Sequence, residues 1–205
     1  MSKRSWPAAE RNKAPLLEVL SRVLPRSGTL LEVGSGTGQH ACYFAEHLPG
    51  LVFQPTDIDP ENLESISAWT RETALSNLLP PRRLDVTDED WGVGRVDAIF
   101  SANMIHIAPW ACARGLIAGV ARHLSDSGVF VLYGPFRIGG RHTAPSNEAF
   151  DAELRARDKT FGVRDLESVR DLAKEGALEL SERVEMPANN QCLVFHRDLN
   201  RERSA

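Results

Sequence analysis

The stretch Leu30–His40, LLEVGSGTGQH, decides how this chain is read. Residues with the look of a buried strand run into glycines at alternate positions, Gly34, Gly36 and Gly38, and then into a helical pattern. Glycine permits backbone bends and close approaches that a Cβ would block, so this turn is built to lay bare main chain against a ligand. Beyond it, Ala41, Phe44, Ala45 and Leu48 recur at i, i+3, i+4 and i+7, one apolar helix face.

Outward from that bend, short apolar runs alternate with helical patterns. TLLEV, LVFQPTD, RRLDV, VDAIFSA and GVFVLYG read as strands bounded by Gly, Pro or Asp. A helix is expected from Pro15 to Leu24, with Leu16, Val19, Leu20 and Val23 on one face. Another opens at Asp59-Pro60, a capping residue followed by proline at the first helical position, and turns Leu63, Ile66 and Trp69 inward. A further helix carries Leu116, Ile117, Val120, Ala121 and Leu124, and SDSG is expected to end it. Such alternation implies a parallel sheet with right-handed crossovers. Past residue 134 the pattern changes. GPFRIGGRHTAPSN reads as a long polar loop, followed by a helix around Phe150–Leu154 and another from Asp165 as N-cap to Gly176. Leu178–Val184 and Gln191–Phe195, joined by MPANN, read as a hairpin that adds an antiparallel element at the sheet edge, and RDLNRERSA as a frayed tail.

The bulk composition narrows the function. A length of 205 residues suits one domain, with 42% apolar and 25% charged residues, the balance of a soluble globular protein. Net charge is −4 with Lys and Arg scattered, which speaks against a nucleic-acid track. The first residues carry no apolar run of a secretory signal, and no stretch approaches the roughly 20 apolar residues that span a bilayer. Cys42, Cys112 and Cys192 sit in apolar surroundings without C-x-x-C spacing and read as buried structural thiols in a reducing cytoplasm. No metal is expected, because no His, Cys and acid set has ligand spacing, and G-x-S-x-G, the hydrolase elbow, is absent.

The glycine loop itself discriminates between ligands. A dinucleotide fingerprint, G-x-G-x-x-G, would place its third glycine at position 39, which is Gln39. Instead Glu32 precedes the first glycine by two residues, giving E-x-G-x-G-x-G. A carboxylate there repels a pyrophosphate but suits S-adenosylmethionine, whose sulfonium and ammonium are positive. Gly34, Ser35, Gly36, Thr37 and Gly38 form the cradle, and the methionine carboxylate can use free N–H groups where the helix begins. The second strand ends in PTDIDP. Asp57, with Ile58 beside it, is placed to accept both ribose hydroxyls, and Asp59 is better read as a cap. The third strand ends in LDV, setting Asp85 and Val86 against the adenine edge, although Asp85 also reads as a turn-former. His40, just inside the helix, is expected to anchor the loop.

AAERNKAPLLEVL, LEVGSGTGQHACYFA, FQPTDID, NMIHIAPW, YGPF, SNEAFDAELRARD, FGVRD and MPANN together resemble the class I S-adenosylmethionine-dependent methyltransferases. More narrowly, they resemble an uncharacterised methyltransferase-like family of bacteria and animals; Phe161 stands where that family often has tryptophan. The resemblance implies an α/β, Rossmann-like class I methyltransferase fold, a mainly parallel seven-stranded sheet with an antiparallel C-terminal hairpin strand. Along the chain we expect an N-terminal lid and helix at 1–27, a cofactor-binding half at 28–134, a substrate-side half at 135–197 and a tail at 198–205. It implies S-adenosyl-L-methionine as cofactor and supplies no substrate.

Methyl transfer is an in-line displacement with a good leaving group, so an enzyme needs mainly to position a nucleophile and dispose of its proton. Asn103 and His106 follow the fourth strand, and His106 reads either as a general base or as a histidine bonded within its loop. Asn103 lacks the following Pro-Pro-aromatic signature of amine methylation. Tyr133, ending the fifth strand, reads either as a substrate ligand or as a core cap. Asn12, Asn147, Arg164, Asn189 and Asn190 are expected to line the substrate side, with Arg11-Asn12-Lys13 as a lid. The expected activity is transfer of a methyl group to a small-molecule acceptor by a monomer or homodimer that binds neither nucleic acid nor membrane. A non-catalytic cofactor-binding sensor and a nicotinamide-dependent oxidoreductase are its rivals.

Overall fold

The structure is a computed structural model in which residues 3–198 are described. In chain order the elements are α1 (Pro7–Val23), β1 (Gly28–Val33), α2 (Gln39–His47), β2 (Leu51–Asp57), α3 (Pro60–Thr73), β3 (Arg82–Arg83) and β4 (Val96–Ala102). After a 3-10 turn at Met104–His106 come α4 (Trp110–His123), β5 (Leu124–Gly134), β6 (Phe136–Ile138), β7 (Arg141–His142) and α5 (Pro145–Arg157). The chain ends with β8 (Arg164–Asp165), α6 (Leu166–Glu175), β9 (Leu178–Met186) and β10 (Asn190–Arg197).

Seven strands form one sheet in the order β3-β2-β1-β4-β5-β10-β9. β3, β2, β1, β4 and β5 pair in parallel, while β10 is antiparallel to both β5 and β9. This is the mainly parallel α/β sheet with an antiparallel C-terminal hairpin that the sequence implies. The central strands are apolar on both faces because helices cover both. Alternate residues then sort into two cores. Leu30, Phe53, Phe100 and Val131 pack with Leu16 and Leu20 of α1 and Phe44 of α2. Leu31, Ile99, Phe130 and Leu193 pack with Leu116 and Val120 of α4 and Val169 of α6. The chain leaves β1 toward β2 on one side and enters β4 on the other. The carboxyl ends of these strands therefore flank a switch point, where doubly wound sheets open a crevice.

β2 and β4 span the residues read from the sequence, and Asp59 caps α3, its Oδ1 accepting from Glu61 N at 2.8 Å. Asp59→Ala should lower stability by about 1 kcal/mol, the usual worth of such a cap, measured as a drop of a few degrees in Tm.

Elsewhere the structure corrects the expected elements. α1 starts at Pro7, not Pro15, so Arg11, Asn12 and Lys13 lie within the helix; Pro7 fills the first turn and Pro15 is tolerated inside. SDSG does not end α4 as a loop, since β5 already begins at Leu124, opposite Val96. RRLDV yields a strand of only two residues. The segment after Gly134 is not a loop: β6 pairs with β7 and, over a long sequence separation, with β8. Cys42 and Cys192 are buried, whereas Cys112 is only partly so. Of the expected tail, 199–205 lie outside the described residues. Among the described residues no helix is long and apolar enough to cross a membrane.

Candidate functional site

A cavity of about 370 Å³ opens at the carboxyl ends of β1, β2 and β4. Backbone conformation shapes its floor. Gly34, Gly36 and Gly38 have φ of 73°, 58° and 92°, values that L side chains rarely adopt. Gly34, Ser35, Gly36 and Thr37 line the cavity, and Gly38 does not. A Cβ at Gly38 would stand 3.0 Å from the Ile66 Cα, so the missing side chain lets α2 and α3 close together.

Asp57 ties the loop to β2. Its Oδ2 accepts from Gly36 N at 2.8 Å, and its Oδ1 accepts from Asp59 N at 2.9 Å and Asn62 Nδ2 at 3.1 Å. Glu32 lies beneath the loop, 2% exposed, rather than on the cavity wall. Its Oε2 has no hydrogen-bond partner among the described residues, and burial, reinforced by Asp57, pushes its pKa up to about 7 against a helping bond from Ser35. The other end of the cavity is more apolar: Ile58, Leu84, Val86, Ile107, Ala108 and Cys112 surround Asp85. Asp85 also makes a turn, its Oδ1 accepting from Thr87 N and Oγ1, and these bonds hold its pKa below the ordinary value.

The N-terminal segment crosses the cavity mouth. Arg4 N donates to Ser65 Oγ, and Trp69 Nε1 donates to Arg4 O. Trp6 N donates to Gln39 Oε1, and the Trp6 ring sits where a Gly36 Cβ would reach it at 2.8 Å. Asn12 Oδ1 lies 2.7 Å from His40 Nε2. His40 is stacked on Phe44, and burial holds its pKa down to about 4 despite the Ala9 carbonyl, so the ring is neutral near pH 7.

Asn103, at the end of β4, lines the cavity in a left-handed conformation (φ 60°), with its N–H donating to Tyr133 O. His106 is fully buried and does not line it. Burial, with the Arg164 charge, depresses its pKa to about 3, which removes it as a proton acceptor near neutrality. Tyr133 is 2% exposed, and burial raises its hydroxyl pKa against the opposing influence of Asn12 and Asn190. Arg164 spends its guanidinium on the carbonyls of Ile105, Ala108 and Thr160, and so fastens the loop that forms one cavity wall. Asn147 donates to Thr143 Oγ1 and Asn189 O, while Asn189 and Asn190 stand at the β9–β10 turn. Of the expected substrate-side residues only Asn12 borders this cavity. Trp6, Gln39, Asn62, Met104 and Cys112 also line it, none of them among the expected site residues. A Trp six residues from the start carries no local signal of its position. Asn62, one turn into a capped helix beside PTDID, could have been found from helix geometry.

A Cβ at Gly134 would stand 2.4 Å from His106 Nε2. Gly134→Ala should therefore displace the His106 ring and cost about 2 kcal/mol by overpacking, read as a lowered Tm.

A family model described as "Protein of unknown function (DUF938)" matches residues 3–197. Among solved structures, the chain is similar to the mitomycin 7-O-methyltransferase MmcR, at TM-score 0.79 and 12% identity over 93% of this chain and 54% of that one. It is similar to an S-adenosylhomocysteine-bound methyltransferase of calicheamicin biosynthesis, CalO1, at 0.74 and 18%, over 93% and 55%. A third is a putative O-methyltransferase from Nostoc punctiforme, at 0.81 and 16%, over 93% and 57%. The chain thus spans little more than half the length of these proteins, and at such identities the likeness is one of fold.

Proposed function

We propose, from the premise that this chain belongs to the DUF938 family, that it transfers a methyl group from S-adenosylmethionine to a small-molecule acceptor. One observation carries the reading: bare backbone at Gly34–Thr37, Asp57 and Asp85 converge on one cavity from the ends of three consecutive strands of the parallel sheet.

The residues present fit that cofactor. Asp57 keeps one acceptor site free for a ribose hydroxyl, since a carboxylate accepts about four hydrogen bonds and Gly36, Asp59 and Asn62 take three. Leu84, Val86 and Ala108 offer an apolar slot for adenine, with Asp85 beside it. The glycine loop leaves room for the amino-acid end, and the Glu32 carboxyl beneath it, its Oε2 without a partner among the described residues, answers a positive charge. The bound group supplies an activated methyl on sulfur; the chain binds, orients and keeps water from it. Trp6 and Asn12 would cover the mouth, and Asn103 would meet the acceptor. A dinucleotide is disfavoured because Gln39 stands where its third glycine would lie and Glu32 would oppose a pyrophosphate.

Calorimetry with S-adenosylhomocysteine against NAD tests the reading. Saturable heat with the first and none with the second is expected; the reverse overturns it. A second reading, a cofactor-binding sensor, is favoured by the closure of Tyr133 and Asn147 within the fold. Labelled cofactor and a metabolite extract decide between them: tight binding with no transfer of label would select the sensor.

A further inference from the structure

We propose that Arg4 and Ser65, neither of which lines the cavity, are positioning residues of the cofactor site: the N-terminal segment, residues 3–6, sets Thr37 and Asp57 through Ser65, Gln39 and Asn62. The proposal rests on the methyl-transfer reading above.

Three side chains each bridge this segment to a residue that lines the cavity. Ser65 of α3 is 2% exposed. Its Oγ donates to Thr37 O at 2.9 Å and accepts from Arg4 N at 2.8 Å. A hydroxyl donates and accepts through one atom, which suits it to this place. Gln39, at the start of α2, accepts on Oε1 from both Trp6 N and Thr37 Oγ1, and its Nε2 donates to Glu10 Oε2. Asn62 accepts on Oδ1 from Arg4 Nη2, while its Nδ2 donates to Asp57 Oδ1 at 3.1 Å.

The loop needs such outside support. Thr37 stands between Gly36 and Gly38, both in left-handed conformations, and glycine restrains its neighbours little. The place of Thr37 is therefore decided by its partners, and both its carbonyl and its hydroxyl are tied toward the segment. Binding groups hold a ligand well only when the residues behind them fix their geometry. Other anchors of the segment do not have this reach. Lys3 pairs with Glu72 and lies 4.1 Å from the Trp69 ring, and neither partner lines the cavity. Coupling of this kind is reciprocal: as far as the segment strengthens ligand binding, the ligand steadies the segment.

The test is calorimetry of S-adenosylhomocysteine on the full chain and its variants. Ser65→Ala and Arg4→Ala should each weaken binding about tenfold, a usual size for coupling between sites. Ser65→Thr, which keeps the hydroxyl, should restore most of the loss, and Lys3→Ala, which removes an exposed ion pair, should stay within about twofold of the wild type. Combining Ser65→Ala with Arg4→Ala should cost less than the product of the two, since both act through Arg4. A readout that depends on no variant's folding is amide hydrogen exchange in the wild type. The Arg4 and Trp6 N–H groups should gain about tenfold protection on saturation with S-adenosylhomocysteine. Wild-type affinity in either alanine variant, an equal loss in Lys3→Ala, or unchanged exchange at Arg4 and Trp6 overturns the proposal. Failure of S-adenosylhomocysteine to bind the wild type removes the methyl-transfer reading beneath it, a result seen before any variant is made.

Discussion

Asp57→Ala is expected to weaken S-adenosylhomocysteine binding by more than about 100-fold and to lower unfolding stability by about 3 kcal/mol. Both effects come from one carboxylate. Within the protein it is only 6% exposed and receives the N–H groups of Gly36 and Asp59 and the Asn62 amide. Alanine leaves these donors facing an apolar methyl, at roughly 1–3 kcal/mol for each one that water cannot reach. The Gly36 bond also fixes the loop, so affinity falls even for ligand atoms that never touch position 57. Asp57→Asn, which keeps the shape and one acceptor, should restore much of the stability but little of the affinity. Denaturant unfolding and calorimetry on the same samples separate the two losses. Unaltered affinity in the alanine variant would exclude Asp57 from the binding site.

Glu32→Gln is expected to make the free protein more stable above neutral pH while weakening its hold on the cofactor product. Burial lifts the Glu32 pKa from an ordinary 4.5 to about 7. Between those values the folded protein binds the proton that the unfolded chain has released. Stability therefore falls as pH rises from about 4.5 through about 7, and levels off above. The total is on the order of 3 kcal/mol for a shift of this size. Glutamine abolishes the slope. The variant and the wild type should melt alike near pH 4 to 5 and diverge toward pH 8, with the variant higher; parallel Tm curves across that range would rule the argument out. Since the Asp57 charge adds to the shift, Asp57→Ala should also move the wild-type slope to lower pH.

The two-core sheet was legible from short-range pattern because its strands are bounded by breakers. β2 ends where PTDIDP must turn, and β4 ends before Asn103, whose left-handed backbone stops the strand. The glycine loop, Asp57 and Asp85 were legible for the same reason: strand ends in a doubly wound fold share one edge. What could not be read was set by distant partners. β6 and β8 pair residues 28 apart, Phe136 with Arg164 and Arg137 with Asp165, and nothing local in FRI or RD announces it. Pro15 looked like a helix start because proline favours first turns and the buried face, Leu16, Val19 and Leu20, begins only after it, but Pro7 takes that place. His106 and Arg164 carry side chains suited to chemistry, yet packing against Phe136 and bonds to loop carbonyls commit them to bracing the loop at 105–108. A residue type announces what it can do, and only its neighbours decide whether it is left free to do it.

From Lys3 to Asn12 the chain runs into the first turns of α1, lines the cavity with Trp6, Ala8, Ala9 and Asn12, and is latched by bonds to Ser65, Trp69, Gln39 and His40. Ligand exchange is expected to follow the opening of this latch, at the rate at which its few bonds to α2 and α3 break together. The indole of Trp6, riding on the latch, should flicker in fluorescence at that same frequency.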